Sequence, residues 1–198
     1  MSWTESFYRL AAKLAIHKPS LYPTEELDDL TDVKIAKLSL DGFEGERHSY
    51  ALTVKAGLHL FNESLDPSYT ISQDIHTPTG SYWHAIMHRM EGDYSNAKYW
   101  IRMAGVHPIY DDVAIEAFAY IRQSGLDDVQ SELLKQQLEK WSSGKGYDPA
   151  QFVDLVEYQV TKANDEHGEE LLRHIQWLEM RKLLHYGYVR SGGEGVLF

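Results

Sequence analysis

The chain has no cysteine, which excludes disulfides, thiolate nucleophiles and zinc–thiolate sites at once. It also has no run approaching about eighteen apolar residues, so no helix is expected to cross a membrane. Residues 1–6 lack the basic flank and apolar run of a signal peptide, and a cytoplasmic location is the expectation. Cations are scarce: 19 Lys and Arg face 30 Asp and Glu, a formal charge of −11. That balance disfavours nucleic acid, whose phosphates call for a basic stripe, and disfavours an anionic membrane surface. A phosphate-cradling glycine loop, a Gly-x-Gly-x-x-Gly fingerprint and a Gly-x-Ser-x-Gly elbow are all missing. The glycines at 192–195 follow a helical pattern instead of opening one, which reads as a frayed tail.

Apolar residues make up 43% of the chain and charged residues 25%, ordinary usage for a packed core. They recur at helical spacing. Trp3, Phe7, Leu10, Ala11 and Leu14 share one face of a first helix that ends before Pro19. Residues 19–43 read as a connector with one or two short helices around 33–38, and a long helix is expected over 46–65. Asp66-Pro67 reads as a cap and restart for a helix over 67–75, followed by a Pro- and Gly-punctuated loop over 76–80. Further helices are expected over 81–90, 94–104 with Asp93 as N-cap, 111–123, 126–141, from Pro149 to about 163 with Asp148-Pro149 as a second cap and restart, and over 166–188. The residues 188–189 and 196–198 are the only strand-like runs, too short to matter. The expected fold is all-α, a single helical domain over 1–198. It divides into an N-terminal helix and connector (1–43), central helical hairpins (44–141), a C-terminal helix pair (147–190) and a tail (191–198).

Gly92-Asp93-Tyr94, Ala97, Trp100, Ala104 and Pro108 resemble the second half of a tetratricopeptide repeat, in which small residues let two helices approach. The upstream echo at 65–68 lies too close for that repeat's period of about 34 residues, so one tetratricopeptide-like hairpin in an irregular array of antiparallel helical hairpins is expected. The stretches 65–68, 80–89 and 91–100, with Gln73 and a weaker echo at 175–179, resemble a family of uncharacterised bacterial and fungal proteins. The resemblance implies a grouping and no activity. That family often has a histidine after the serine at 68, where this chain has Tyr69, which weakens any metal site relying on a ligand there.

The segment 73–108 concentrates the polar and aromatic residues. His84 and His88 leave one helix face a turn apart, and Glu91 extends that face. The spacing suits two metal ligands, with Asp74, His76 or His107 as candidates to complete a site. The signatures of zinc proteases and di-iron bundles are absent, because Ala85 follows His84 and no histidine has a glutamate three residues before it. The competing reading is a pair of histidines hydrogen-bonded inside a helix interface. Arg89, Lys98 and Arg102 form a basic cluster able to hold a carboxylate or phosphate if their heads converge, or else to pair with nearby acids. Tyr82, Trp83, Tyr99 and Trp100 could floor a ligand site but at helical spacing read as core. Gln176 and Glu179 read as helix surface; a buried Glu179 would need Arg89 or Lys98.

These residues lead to one functional expectation: a polar pocket of His84, His88, Arg89, Glu91, Tyr99 and Arg102 binding a small anionic or polar ligand, with catalysis open. The alternatives are a tetratricopeptide-like protein-interaction module and a metal-dependent hydrolase using His84 and His88. No cofactor is expected unless a divalent metal binds those two histidines. Expected partners are a small polar ligand or a protein, with a homodimer open, and neither nucleic acid nor membrane.

Overall fold

A computed structural model describes residues 3–195 and 197, the side chains of Trp3 and Thr4 excepted. Among the described residues every regular element is helical: α1 (Trp3–Leu14), α2 (Asp29–Ala36), α3 (Gly45–Phe61), α4 (Leu65–Ser72), α5 (Pro78–Glu91), α6 (Tyr94–Ala104), α7 (Tyr110–Ser124), α8 (Glu132–Ser142), α9 (Pro149–Tyr158) and α10 (Glu166–Arg190). A π-helical turn over Gln159–Ala163 continues α9. The class is all-α. No helix is long and apolar enough to cross a membrane among the described residues.

Local chemistry explains most helix starts. Asp93 accepts from the Asn96 amide at 3.1 Å, Asp148 from Ala150 at 2.9 Å, and Asp165 from Gly168 at 2.8 Å. Each supplies an acceptor for an amide that the first helical turn leaves unbonded. Gly92 closes α5 at φ +88°, a left-handed position, and its own amide bonds back to Arg89 and His88. The chain therefore reverses within two residues and lays α6 against α5. A turn between two helices at Gly92-Asp93 is what the sequence predicts.

Tertiary packing centres on α3, buried from Tyr50 to Phe61 except at Leu52 and Lys55. Two glycines set its neighbours close. A Cβ on Gly57 would lie 2.5 Å from Trp83 of α5, and one on Gly187 would lie 2.9 Å from Thr53. Both α5 and α10 thus approach α3 nearly backbone to side chain. The connector 15–28 is strapped down by α10, where Trp177 Nε1 donates to the Ala15 carbonyl at 3.0 Å and Arg173 to Lys18 at 2.7 Å. Glu63, left-handed at φ +60°, bonds His17 and accepts the Ser20 amide, both at 2.7 Å.

Several boundaries depart from expectation. The long helix stops at Phe61, because Glu63 turns left-handed and Ser64 restarts the chain ahead of Asp66. Asp66 sits inside the first turn of α4 instead of capping it. The expected loop over 76–80 is already helix from Pro78, since Thr77 caps α5 by accepting from Gly80 at 3.1 Å. The helix expected from 126 begins only at Glu132, capped by Ser131, and residues 125–131 are a loop held by Asp165. The tail is bonded down to Ser191 and Gly193, with Arg47 Nε on the Ser191 carbonyl at 3.0 Å, and Leu197 is buried. Residues 188–189 belong to α10; Val196 and Phe198 lie outside the described residues.

Candidate functional site

Helix α5 is buried on every side from Thr79 to Met90. A helix so enclosed is ordinarily apolar all round, yet this one carries His84, His88 and Arg89. Their side chains divide between two directions.

His84 and His88 face α4 and α6. Ser72 Oγ lies 2.8 Å from His84 Nδ1, His84 Nε2 lies 3.1 Å from His88 Nε2, and His88 Nδ1 lies 3.0 Å from a Glu91 carboxylate oxygen. Asn96 Nδ2 reaches His88 Nε2 at 3.2 Å. Hydrogen counting orients the chain of bonds. A carboxylate only accepts, so His88 Nδ1 carries its hydrogen toward Glu91. In the neutral pair His88 Nε2 then accepts from His84 Nε2–H and from the Asn96 amide. His84 Nδ1 is left as an acceptor, and it competes with the Ser68 carbonyl, also 2.8 Å from Ser72 Oγ, for the one Ser72 hydroxyl hydrogen. Burial first, and the neighbouring His88 second, push the His84 imidazole down to about 4, so it is neutral at ordinary pH.

The network runs from a sealed end to an open one. Ser72 is 1% exposed and His84 2%, whereas Glu91 is exposed and Asn96 half-buried. Aromatic rings wall it: Tyr69 lies 5.0 Å from His84 and 5.9 Å from His88, Trp100 lies 4.4 Å from His84, and Tyr99 stands edge-on to Trp100 at 5.6 Å. Tyr69 and Tyr99 are themselves 40% and 46% exposed, so they form a rim and not a core. Ser72, His84, His88 and Glu91 stand in the order nucleophile, base, orienting groups. The hydroxyl is closed off from any substrate, so this series can pass a proton along but not attack an incoming carbonyl. Among the described residues no group of three or more His, Asp or Glu is placed to hold a metal ion. Asp74 and His76 are exposed, and His107 is bonded to Thr79 at 3.1 Å.

Arg89 points the other way, into the core. Its guanidinium donates to both oxygens of Glu179, at 2.5 and 3.3 Å, and to Gln176 Oε1 at 3.3 Å, and lies over the Phe152 ring. Glu179 also accepts the hydroxyls of Tyr82 at 2.7 Å and Tyr147 at 2.6 Å. Arg89 is 1% exposed and Glu179 0%. Burial raises the phenols of Tyr82 and Tyr147 well above their ordinary range, and the Glu179 charge adds to it, so both remain donors. For Arg89 burial opposes the charge and Glu179 outweighs it, leaving the guanidinium more basic than usual. This knot ties α5, α10 and the segment before α9 together.

Of the residues singled out in sequence, the structure joins His84, His88 and Glu91, with Trp100 and Tyr99 beside them, and takes Arg89, Arg102 and Lys98 elsewhere. Arg89 belongs to the Glu179 pair. Arg102 is exposed and lies against the Tyr99 ring, and Lys98 pairs with Asp154 at 2.7 Å, so the basic cluster does not converge. Tyr82 and Trp83 are core as expected. Gln176 and Glu179 are buried, not surface, because the Tyr147 segment covers Glu179 while the connector carbonyls of Pro19 and Ser20 cover Gln176. Sequence reading missed Ser72, Asn96 and the direct packing of Tyr69. Ser72 and Asn96 carry no helical-spacing signal relative to His84 and His88, since they sit on other helices. No protein-family model, curated protein or solved structure matches the chain.

Proposed function

We propose that this chain is a recognition protein whose α4–α5–α6 face binds a small polar, uncharged group. Asn96 and the His88–Glu91 pair would read its hydrogen bonds between the rings of Tyr69 and Trp100. One observation carries the reading: the Ser72–His84–His88 network replaces apolar packing inside a hairpin and ends at solvent-facing Glu91 and Asn96. A purely internal network would have no need of an open end. Neutral His84, the outward carboxylate of Glu91 and the inward turn of Arg89 all argue against an anion here. Aromatic walls with a few fixed polar atoms suit a hydroxyl- or amide-bearing small molecule. Among the described residues no third metal ligand joins His84 and His88, which counts against the hydrolase reading.

A screen of polyols, amides and sugars, followed by NMR of the imidazole and Asn side-chain resonances, tests this. A binder should shift the His88 and Asn96 signals, and Asn96→Ala should abolish binding while the protein stays folded. Binders that leave these resonances unmoved, or survive Asn96→Ala, would overturn it. A second reading, a docking face for a protein, draws on the exposed Tyr69, Tyr99 and Met103. It predicts Met103 protection from oxidation only in the presence of that partner.

A further inference from the structure

Away from this site, a cleft of about 580 Å³ opens between α1 and α2. Arg9 and Lys13 line one wall, Lys34 and Lys37 the other, with Leu10 and Leu38 between them and no acid among the described lining residues. In a chain of net charge −11 this is an unusual concentration. Part of it has a local explanation: Lys13, Lys34 and Lys37 stand at helix C-termini, where cations complement the dipole. The dipole does not require four cations to face one another across a groove, where acids pair with Arg9 and Lys13 on one wall only.

The donors are only partly used. Lys13 gives two of its three hydrogens to Asp28 at 2.6 Å and Thr31 at 2.7 Å, and Arg9 gives one to Glu5 at 3.1 Å. Lys34 and Lys37 form no ion pair among the described residues. Arg9 and Lys13, at i and i+4, and Lys34 and Lys37, at i and i+3, make two cation pairs with about 5–6 Å between Cβ atoms within each. A single carboxylate would use one such pair. Two facing pairs match a doubly anionic group or two linked ones, and Leu10 and Leu38 offer an apolar floor to whatever carries them.

We propose that the α1–α2 cleft binds a small soluble molecule bearing a diphosphate or two phosphates. Size decides against a polymer or a bilayer. Screening confines each charge to about 8 Å at physiological salt, so a small anion senses mainly the four cations. An extended anionic surface would also meet the acidic remainder of the chain.

The test is calorimetric titration of the full chain with inorganic pyrophosphate and with ATP, at low and raised salt, beside flotation with phosphatidylserine-containing vesicles. The expected result is binding of both soluble probes in about the 10⁻⁵–10⁻³ M range. Lys34→Gln with Lys37→Gln, both exposed, should weaken it by about tenfold or more. Lys140→Gln with Lys145→Gln, which alters net charge equally but lies elsewhere, should leave it unchanged. No binding of either soluble probe, equal loss in both double variants, or binding to vesicles alone would overturn the proposal.

Discussion

Glu179→Gln isolates the charge at the centre of the buried knot. The glutamine keeps the shape, and its Oε1 still accepts the Tyr82 and Tyr147 hydroxyls that now lie 2.7 and 2.6 Å from Glu179. What is lost is the counter-charge of Arg89, which is 1% exposed and has no route to water. The new amide also turns a donor toward the guanidinium. Breaking one member of a buried pair costs about 3–5 kcal/mol. In a chain of this length that corresponds to a melting temperature lower by roughly 8–15 °C. The double variant Arg89→Met with Glu179→Gln removes both charges, retains an acceptor for the two hydroxyls and places an apolar chain over Phe152. Replacing a whole buried pair is often close to neutral, so it should recover to within about 2 kcal/mol of the parent. Urea unfolding followed by helical circular dichroism measures all four corners of the cycle. A cost below about 1 kcal/mol for Glu179→Gln, or a double variant as unstable as the sum of the singles, would refute the account.

Two further outcomes follow from the same packing. Ala97 is fully buried in the α5–α6 hairpin, so Ala97→Leu should cost about 1–3 kcal/mol by overpacking, and an unchanged urea midpoint would contradict that contact. His84 and His107 are held at about 4, mainly by burial, against an ordinary 6.5. The unfolded chain therefore takes up those protons first as pH falls. Their contribution is fully present above about pH 7 and declines toward pH 4, by about 2 kcal/mol each at pH 5. Stability that stays flat between pH 7 and 5, or a slope unaltered by His84→Gln, would show that these rings are not sealed.

Helical class, the α5–α6 turn and the caps at Asp93 and Asp148 were legible in the sequence because each depends on bonds spanning three or four residues. A left-handed helix end favours glycine in any fold, and an aspartate reaches the same amides in any helix start. The same local rules misled where two were available at once. Thr77-Pro78-Thr79-Gly80 satisfies both a loop and a capped start, and only the packing of Gly80 against Ile75, where a Cβ would meet the Ile75 carbonyl at 2.3 Å, selects the helix. The two polar networks show the limit from the other side. The face shared by His84, His88 and Glu91 follows from a period of about 3.6 residues, but the period cannot say which helix covers it or where solvent begins. Arg89 is a neighbour of His88 in sequence, yet its partner Glu179 lies 90 positions away. Its direction was decided when α10 and the Tyr147 segment closed over the opposite face, because a charge leaving water must find its counter-charge wherever the chain brings one.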